Sequence, residues 1–325
     1  MNAKCATWLL VLILSGCGQE LELATRFQAM MGGLEADDER FSSVVSLSAD
    51  IGNGRYEVFC SGTRVGTHEI LTAAHCLTDA EDYPVTQAFK AGKLAIITGL
   101  HVNDPSTDRV YPIASFSVHP AFSIASSAHD LAVVWVDREI PESQAKTMQC
   151  YRGDNASIVN RHETIQMAGY GVDEAGNSGA RSYREATLLA HCAVSGESCL
   201  SNEIDETIPP GTFATINDDA VCHGDSGGPL IYRGATQSSI VGVISFGTQD
   251  CGGYTVSTAI SDHAIWLEQT LHPQADGGDC AATKPNVRVP QFSICALILV
   301  LCAAGVGVAA RRSRPSFFHD IVIKR

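Results

Sequence analysis

The eight residues Cys222-His223-Gly224-Asp225-Ser226-Gly227-Gly228-Pro229 constrain this chain more than any other stretch, because they ask for one backbone shape and one chemistry together. A serine hydroxyl is a weak nucleophile at its free pKa. It needs an adjacent base, and hydrogen-bond donors where negative charge develops on a substrate carbonyl oxygen. Glycines on either side of Ser226 allow a tight turn and leave the amides of Gly224 and Ser226 unshielded, so that both can point at one spot. A glycine-rich octamer also serves as a plain turn. A nucleophile therefore has to be matched by a base and its orienting partner elsewhere in the chain.

The string G-D-S-G-G-P resembles the serine site of the chymotrypsin/trypsin family, and two more stretches are similar to that family's other motifs. Leu71-Thr72-Ala73-Ala74-His75-Cys76 contains T-A-A-H-C, and Asp130-Leu131-Ala132-Val133-Val134 is similar to the D-I-A-L strand start. The order His, Asp, Ser is the family's own. The resemblance implies Ser226 as nucleophile, His75 as general base, Asp130 as the carboxylate that sets the His75 tautomer, and the Gly224 and Ser226 amides as oxyanion hole. It also implies an all-β fold of two antiparallel six-stranded β-barrels with a short C-terminal helix, over residues 30–271. His129 adjoins Asp130, and neighbours on an extended segment face opposite sides, so it is not expected to compete as the base. His119, in Val118-His119-Pro120-Ala121-Phe122, resembles a structural motif of the family and is assigned to packing.

Short apolar runs separated by turn signals agree with that fold. Residues 44–48, 94–98, 131–136, 164–167, 230–232 and 240–245 read as strands with no long helical period between them, which disfavours a parallel α/β sheet. Residues 262–271 read as an amphipathic helix with Asp262 as its cap.

Met30-Met31-Gly32-Gly33-Leu34-Glu35-Ala36 resembles the I-V-G-G start of the mature family domain. There, cutting before the motif frees an amine that pairs with the carboxylate preceding the serine, here Asp225. A buried carboxylate without a partner is costly, so the pair locks the oxyanion loop. Met30 departs from the usual Ile or Val, and Ala29 before it does not suit a trypsin-like activator. By the same resemblance Ala220 and Val221 lie at the base of the specificity pocket, Ser245, Phe246 and Gly247 form one wall, and Gly253 lies near the opposite wall. Ala220 stands where trypsin-like members carry an aspartate. Cleavage after small to medium apolar residues is expected, and Asp219, one position off, keeps specificity for Lys or Arg open as the alternative.

Twelve cysteines suit an oxidising, exported setting. The resemblance pairs Cys60 with Cys76 and Cys222 with Cys251. Three pairings of Cys150, Cys192, Cys199 and Cys280 remain open, with Cys192 to Cys199 and Cys150 to Cys280 preferred. None shows the C-x-x-C spacing of structural zinc, and no metal or cofactor is expected. A net charge of -14 argues against a nucleic-acid partner.

The two ends read as membrane signals. A lysine, an apolar run and Leu14-Ser15-Gly16-Cys17 describe a signal peptide over residues 1–17 whose end resembles a bacterial lipobox, with Cys17 as the lipidated residue. Residues 18–29 read as a pro-segment or tether and 272–290 as a linker. Residues 291–310 read as a transmembrane or sorting helix. Arg311, Arg312 and Arg314 then place the tail 311–325 in the cytoplasm and the main domain outside. The expected protein is a membrane-tethered serine endopeptidase acting on protein or peptide substrates after cleavage by an activating protease. A protease-fold scaffold without turnover, or an esterase using the same triad, are the alternatives.

Overall fold

The computed structural model describes residues 33–271, apart from positions 38, 80–83, 203, 218–220, 236 and 249. The expected signal segment, tether, linker, spanning segment and tail all lie outside the described residues. Among the described residues, no helix is long and apolar enough to cross a membrane.

Strands β1 (Val44–Gly52), β2 (Arg55–Arg64), β3 (Glu69–Thr72), β4 (Leu94–Ile97), β5 (Val110–Val118) and β6 (Ala132–Val136) come first in the chain. They close a barrel in the order β1-β2-β3-β6-β5-β4, with β4 returning to β1. The first hairpin follows from Asn53-Gly54, both at positive φ (57° and 74°), which make a two-residue turn between the paired Gly52 and Arg55. Asn-Gly favours that turn because its backbone twist matches that of the flanking strands. Inside the barrel Val45, Leu47, Ile70, Ile96 and Val134 are fully buried. Branched side chains fill such an interior well, and each buried one contributes roughly 1.5–3 kcal/mol.

A second set follows: β7 (Thr164–Gly169), β8 (Ser182–Cys192), β9 (Thr212–Asn217), β10 (Pro229–Arg233), β11 (Ser238–Gly247) and β12 (Gly253–Ala259). These pair antiparallel in the order β8-β9-β12-β11-β10-β7, and β7 pairs with β8 as well as β10, so the path returns to its start. Ile165, Met167, Leu188, Phe213, Leu230, Val241 and Ile244 fill its interior. A two-residue strand, Leu34–Glu35, lies against Ser182 and Tyr183 at the start of β8.

Three short helices complete the fold: α1 (Val85–Lys90), α2 (Asn155–Asn160) and α3 (Ala264–Thr270). Asp154 starts α2 by accepting from the amides of Ala156 (3.2 Å) and Ser157 (3.1 Å). The expected cap of α3 needs correcting. Asp262 lies in the 3-10 turn Ser261–His263 ahead of the helix, and His263 occupies the cap position. The Asp262 carboxylate instead accepts from Asn155 Nδ2 (2.8 Å) and the Val194 amide (3.2 Å) and meets His191 Nε2 at 2.9 Å.

Candidate active site

Antiparallel pairing of β3 with β6 sets Thr72 opposite Ala132, which brings the residues just beyond them together. His75 opens a 3-10 turn, His75–Leu77, directly after β3, and Asp130 precedes β6. The Asp130 carboxylate accepts from the His75 amide (2.9 Å) and contacts its Nδ1 at 2.7 Å. A third donor is the Ser245 hydroxyl at 2.5 Å, and Thr258 Oγ1 donates to the Asp130 main-chain oxygen at 3.0 Å. Asp130 is 1% exposed, and that burial by itself raises its pKa. The ring of His75, with the Ser245 hydroxyl and the His75 amide, outweighs burial and holds the carboxyl below the usual carboxylate range. An ionised carboxylate only accepts, so the His75 proton sits on Nδ1 and Nε2 carries the lone pair.

Ser226 lies in the turn that precedes β10, and first-barrel groups hold that turn in place. Ser61, on β2, donates from its amide to the Ser226 carbonyl (2.8 Å) and from its hydroxyl to the Gly224 carbonyl (2.7 Å). The Cys76 sulfur lies 3.8 Å from His75 Nε2 and 3.7 Å from the Ser226 carbonyl oxygen, so both residues border one disulfide. Gly227, at φ 84°, is packed so that a Cβ there would collide with Thr72 Oγ1 and the Ser61 carbonyl. Only glycine fits both the conformation and the space. In this turn the amides of Asp225, Gly227 and Gly228 donate to Cys222, Ile244 and Asp225 carbonyls. Among the described residues, those of Gly224 and Ser226 donate to nothing. Two adjacent free donors in such a turn suit an anionic oxygen.

Asp225 is fully buried. Its carboxylate accepts from the amides of Gly171 (2.8 Å) and Cys222 (2.9 Å). A Cβ on Gly171 would come within 2.5 Å of that carboxylate, so glycine there makes room for it. Burial pushes its pKa up to about 7 against the two amide bonds, and no cation faces it among the described residues.

Beside Ser226 lies a cavity of about 190 Å³ lined by Val221, Ser245, Phe246 and Gly247, together with Thr248 and Cys251. Gly253 stands opposite Asn217 at the start of β12. Ala220, Met30 and Cys17 lie outside the described residues. Disulfides join Cys60 to Cys76, Cys192 to Cys199 and Cys222 to Cys251. Cys150 is also disulfide-bonded, and its expected partner Cys280 lies outside the described residues. Cys60, His75 and Cys76 present ligand-type atoms within 4.8 Å of one another. Their two sulfurs are bonded to each other, so they cannot bind a metal as thiolates.

Residues 30–267 match the family model described as Trypsin. The chain belongs to the trypsin family. It is 23% identical over 271 residues to CLIP domain-containing serine protease B4 of Anopheles gambiae, which covers 79% of this chain and 72% of that protein. It is 27% identical over 259 residues to granzyme M of Rattus norvegicus, covering 77% and 92% respectively. It is also 26% identical over 251 residues to human chymotrypsin-like elastase family member 1, covering 74% and 92%. As a trypsin-family serine endopeptidase, the protein hydrolyses peptide bonds.

Sequence reasoning missed Ser61 altogether and missed the contact that Ser245 makes with Asp130. Ser61 reaches the Gly224 carbonyl across 163 residues of sequence and Ser245 reaches Asp130 across 115. Ser245 was expected in the pocket wall, and the structure adds its hydroxyl to the carboxylate's donors. His129 does not lie on an extended segment, since its φ is 55°. Its ring turns to His263, Nδ1 to Nε2 at 3.1 Å.

Proposed function

We propose that Ser226, His75 and Asp130 carry the peptide hydrolysis, with the Gly224 and Ser226 amides as oxyanion hole. His75 Nε2 takes the Ser226 proton as Oγ attacks the scissile carbonyl and forms a tetrahedral oxyanion. That charge falls on the two amides, which donate to nothing else described; each such donor is worth about 3–4 kcal/mol to the transition state. His75 then gives its proton to the leaving amine, and an acyl-enzyme on Ser226 Oγ remains. Water, activated by His75, releases it. The observation that carries this reading is the buried Asp130 carboxylate bonded at once by the His75 amide, His75 Nδ1 and Ser245. It leaves His75 one tautomer, with Nε2 free for Ser226.

Specificity in this proposal is for small to medium apolar residues before the cut bond. Val221, Phe246 and Gly247 bring no charge to the cavity beside Ser226. The test is cleavage of a peptide library by wild type and Ser226→Ala, with a fluorophosphonate probe alongside. Cleavage after small apolar residues, lost with Ser226→Ala together with probe labelling, is expected. Dominant cleavage after Lys or Arg would overturn the specificity, and labelling that survives Ser226→Ala would overturn the nucleophile.

Activation in this reading follows cutting before Met30, whose freed amine supplies the cation that Asp225 lacks among the described residues. We further propose export, supported by the disulfides and the N-terminal apolar run, with anchoring through Cys17 or residues 291–310. N-terminal sequencing and intact mass of protein purified from membranes test these together. A mature form that begins at Met1 and carries no lipid would count against export by this signal.

A further inference from the structure

Outside the active site, two histidines of the connection between β5 and β6 converge with a third 134 residues further along the chain. His119 follows β5, His129 precedes Asp130, and His263 caps α3. Each offers a ring nitrogen, and these three atoms lie within 4.8 Å of one another. The rings of His119 and His129 stack at 4.9 Å, and His263 stands edge-on to both at 5.3 Å.

The proton positions follow from the partners. His263 Nδ1 lies 2.8 Å from the Ala259 carbonyl, which can only accept, so this nitrogen carries the proton. Its Nε2 is then a lone pair, and His129 Nδ1, 3.1 Å away, donates to it. A tetrahedral zinc ion with Zn–N bonds of about 2.0–2.1 Å spaces its nitrogens by about 3.3 Å. The His129–His263 pair is therefore already close to chelating distance, and a metal exchanges for the shared proton after a tautomeric shift of His129. His119 Nδ1 accepts from the Ala121 amide at 3.2 Å, so His119 joins either by giving up that bond or by shifting its own proton off Nε2. His119 and His129 are half-buried and keep some contact with solvent, and His263 is 4% exposed.

We propose that His119, His129 and His263 form a binding site for a zinc-class divalent ion with three nitrogen ligands and an open fourth position. The site adjoins Asp130 in sequence, and it stands on the ring geometry without depending on the catalytic reading above. No pair of these residues has a ligand spacing that sequence scanning would flag, because His119 and His129 stand ten apart in the connection between β5 and β6 and His263 lies 134 residues beyond His129.

The test is calorimetric titration of the full chain with zinc chloride after removal of metal by a chelator. Wild type, His119→Gln, His129→Asn and His75→Ala are compared, and thermal melting without zinc checks their folding. Asparagine is chosen at 129 because it tolerates positive φ. One ion per chain is expected, with affinity reduced in both His119→Gln and His129→Asn by more than the roughly 10–100-fold that loss of a ligand's outer partner costs. His75→Ala should bind as wild type does. Trp266 packs 5.0 Å from His119, so copper(II) should quench its fluorescence in wild type and not in His129→Asn. Absence of binding in wild type, unchanged affinity in the folded His129→Asn variant, or loss of binding in His75→Ala alone would overturn the proposal. These readouts are independent of peptidase activity.

Discussion

Asp225 offers the sharpest quantitative prediction, because its carboxyl is fully buried with two amides and no described cation for company. Its pKa is pushed from 3.8 to about 7. Between those values the unfolded chain has released the proton while the native state still holds it, so native stability falls as pH rises. The penalty is absent below pH 3.8, grows through the window up to about 7, and is constant above it. At about 1.4 kcal/mol per unit, the full cost is about 4 kcal/mol, of which about 3 kcal/mol falls between pH 5 and 8. The perturbation is Asp225→Asn in a Ser226→Ala background that cannot digest itself, with the chain uncut ahead of Met30. Urea unfolding at pH 5 and pH 8 should show wild type losing about 3 kcal/mol more stability than the Asn variant over that interval. The variant itself starts about 1–3 kcal/mol lower at pH 5, because one of the two amides then faces an amide donor, and by pH 8 that deficit closes or reverses. Cutting before Met30 should flatten the wild-type slope, since the new amine pairs with the carboxylate. Equal pH dependence in wild type and Asp225→Asn would refute the reasoning.

Further outcomes follow from the same geometry. Asp130→Asn can turn an amide NH2 toward His75 Nδ1 and hold the wrong tautomer, so kcat should fall by about 10⁴ at pH 7; steady-state kinetics showing less than a roughly tenfold loss would count against Asp130 as the orienting group. Arg64 is 1% exposed, with Nε donating to the Gly66 carbonyl (2.8 Å) and Nη1 donating to the Ala145 carbonyl and to Glu142 (2.7 Å). Arg64→Met should cost about 2–4 kcal/mol in denaturant unfolding by stranding the Gly66 and Ala145 carbonyls, and a loss below about 1 kcal/mol would mean that water replaces the guanidinium.

How much of this was legible depended on whether the constraint was local. The strands at 94–97 and 132–136 announced themselves as continuous aliphatic runs. Ser182–Cys192 did not, because Arg184 and Glu185 interrupt its pattern and tertiary pairing with two neighbours overrides it. The Asn53-Gly54 hairpin had a clear signal that went unread. The cap of α3 was misassigned because Asp262 is a good capping residue by type, yet its carboxylate has His191 and Asn155 within reach.

The sequence by itself determined that the serine turn can hold positive φ at Gly224 and Gly227 (97° and 84°), since glycine alone takes that conformation at no steric cost. It also determined the residue types able to act there. Only the tertiary structure decided which groups surround them: Ser61 at the turn, Ser245 on Asp130, and three histidines brought to one point. Ser61 and Gly224 are separated by 163 residues, Asp130 and Ser245 by 115, and His129 and His263 by 134. Their geometry is set by strand register and barrel closure, which no local pattern of residues encodes.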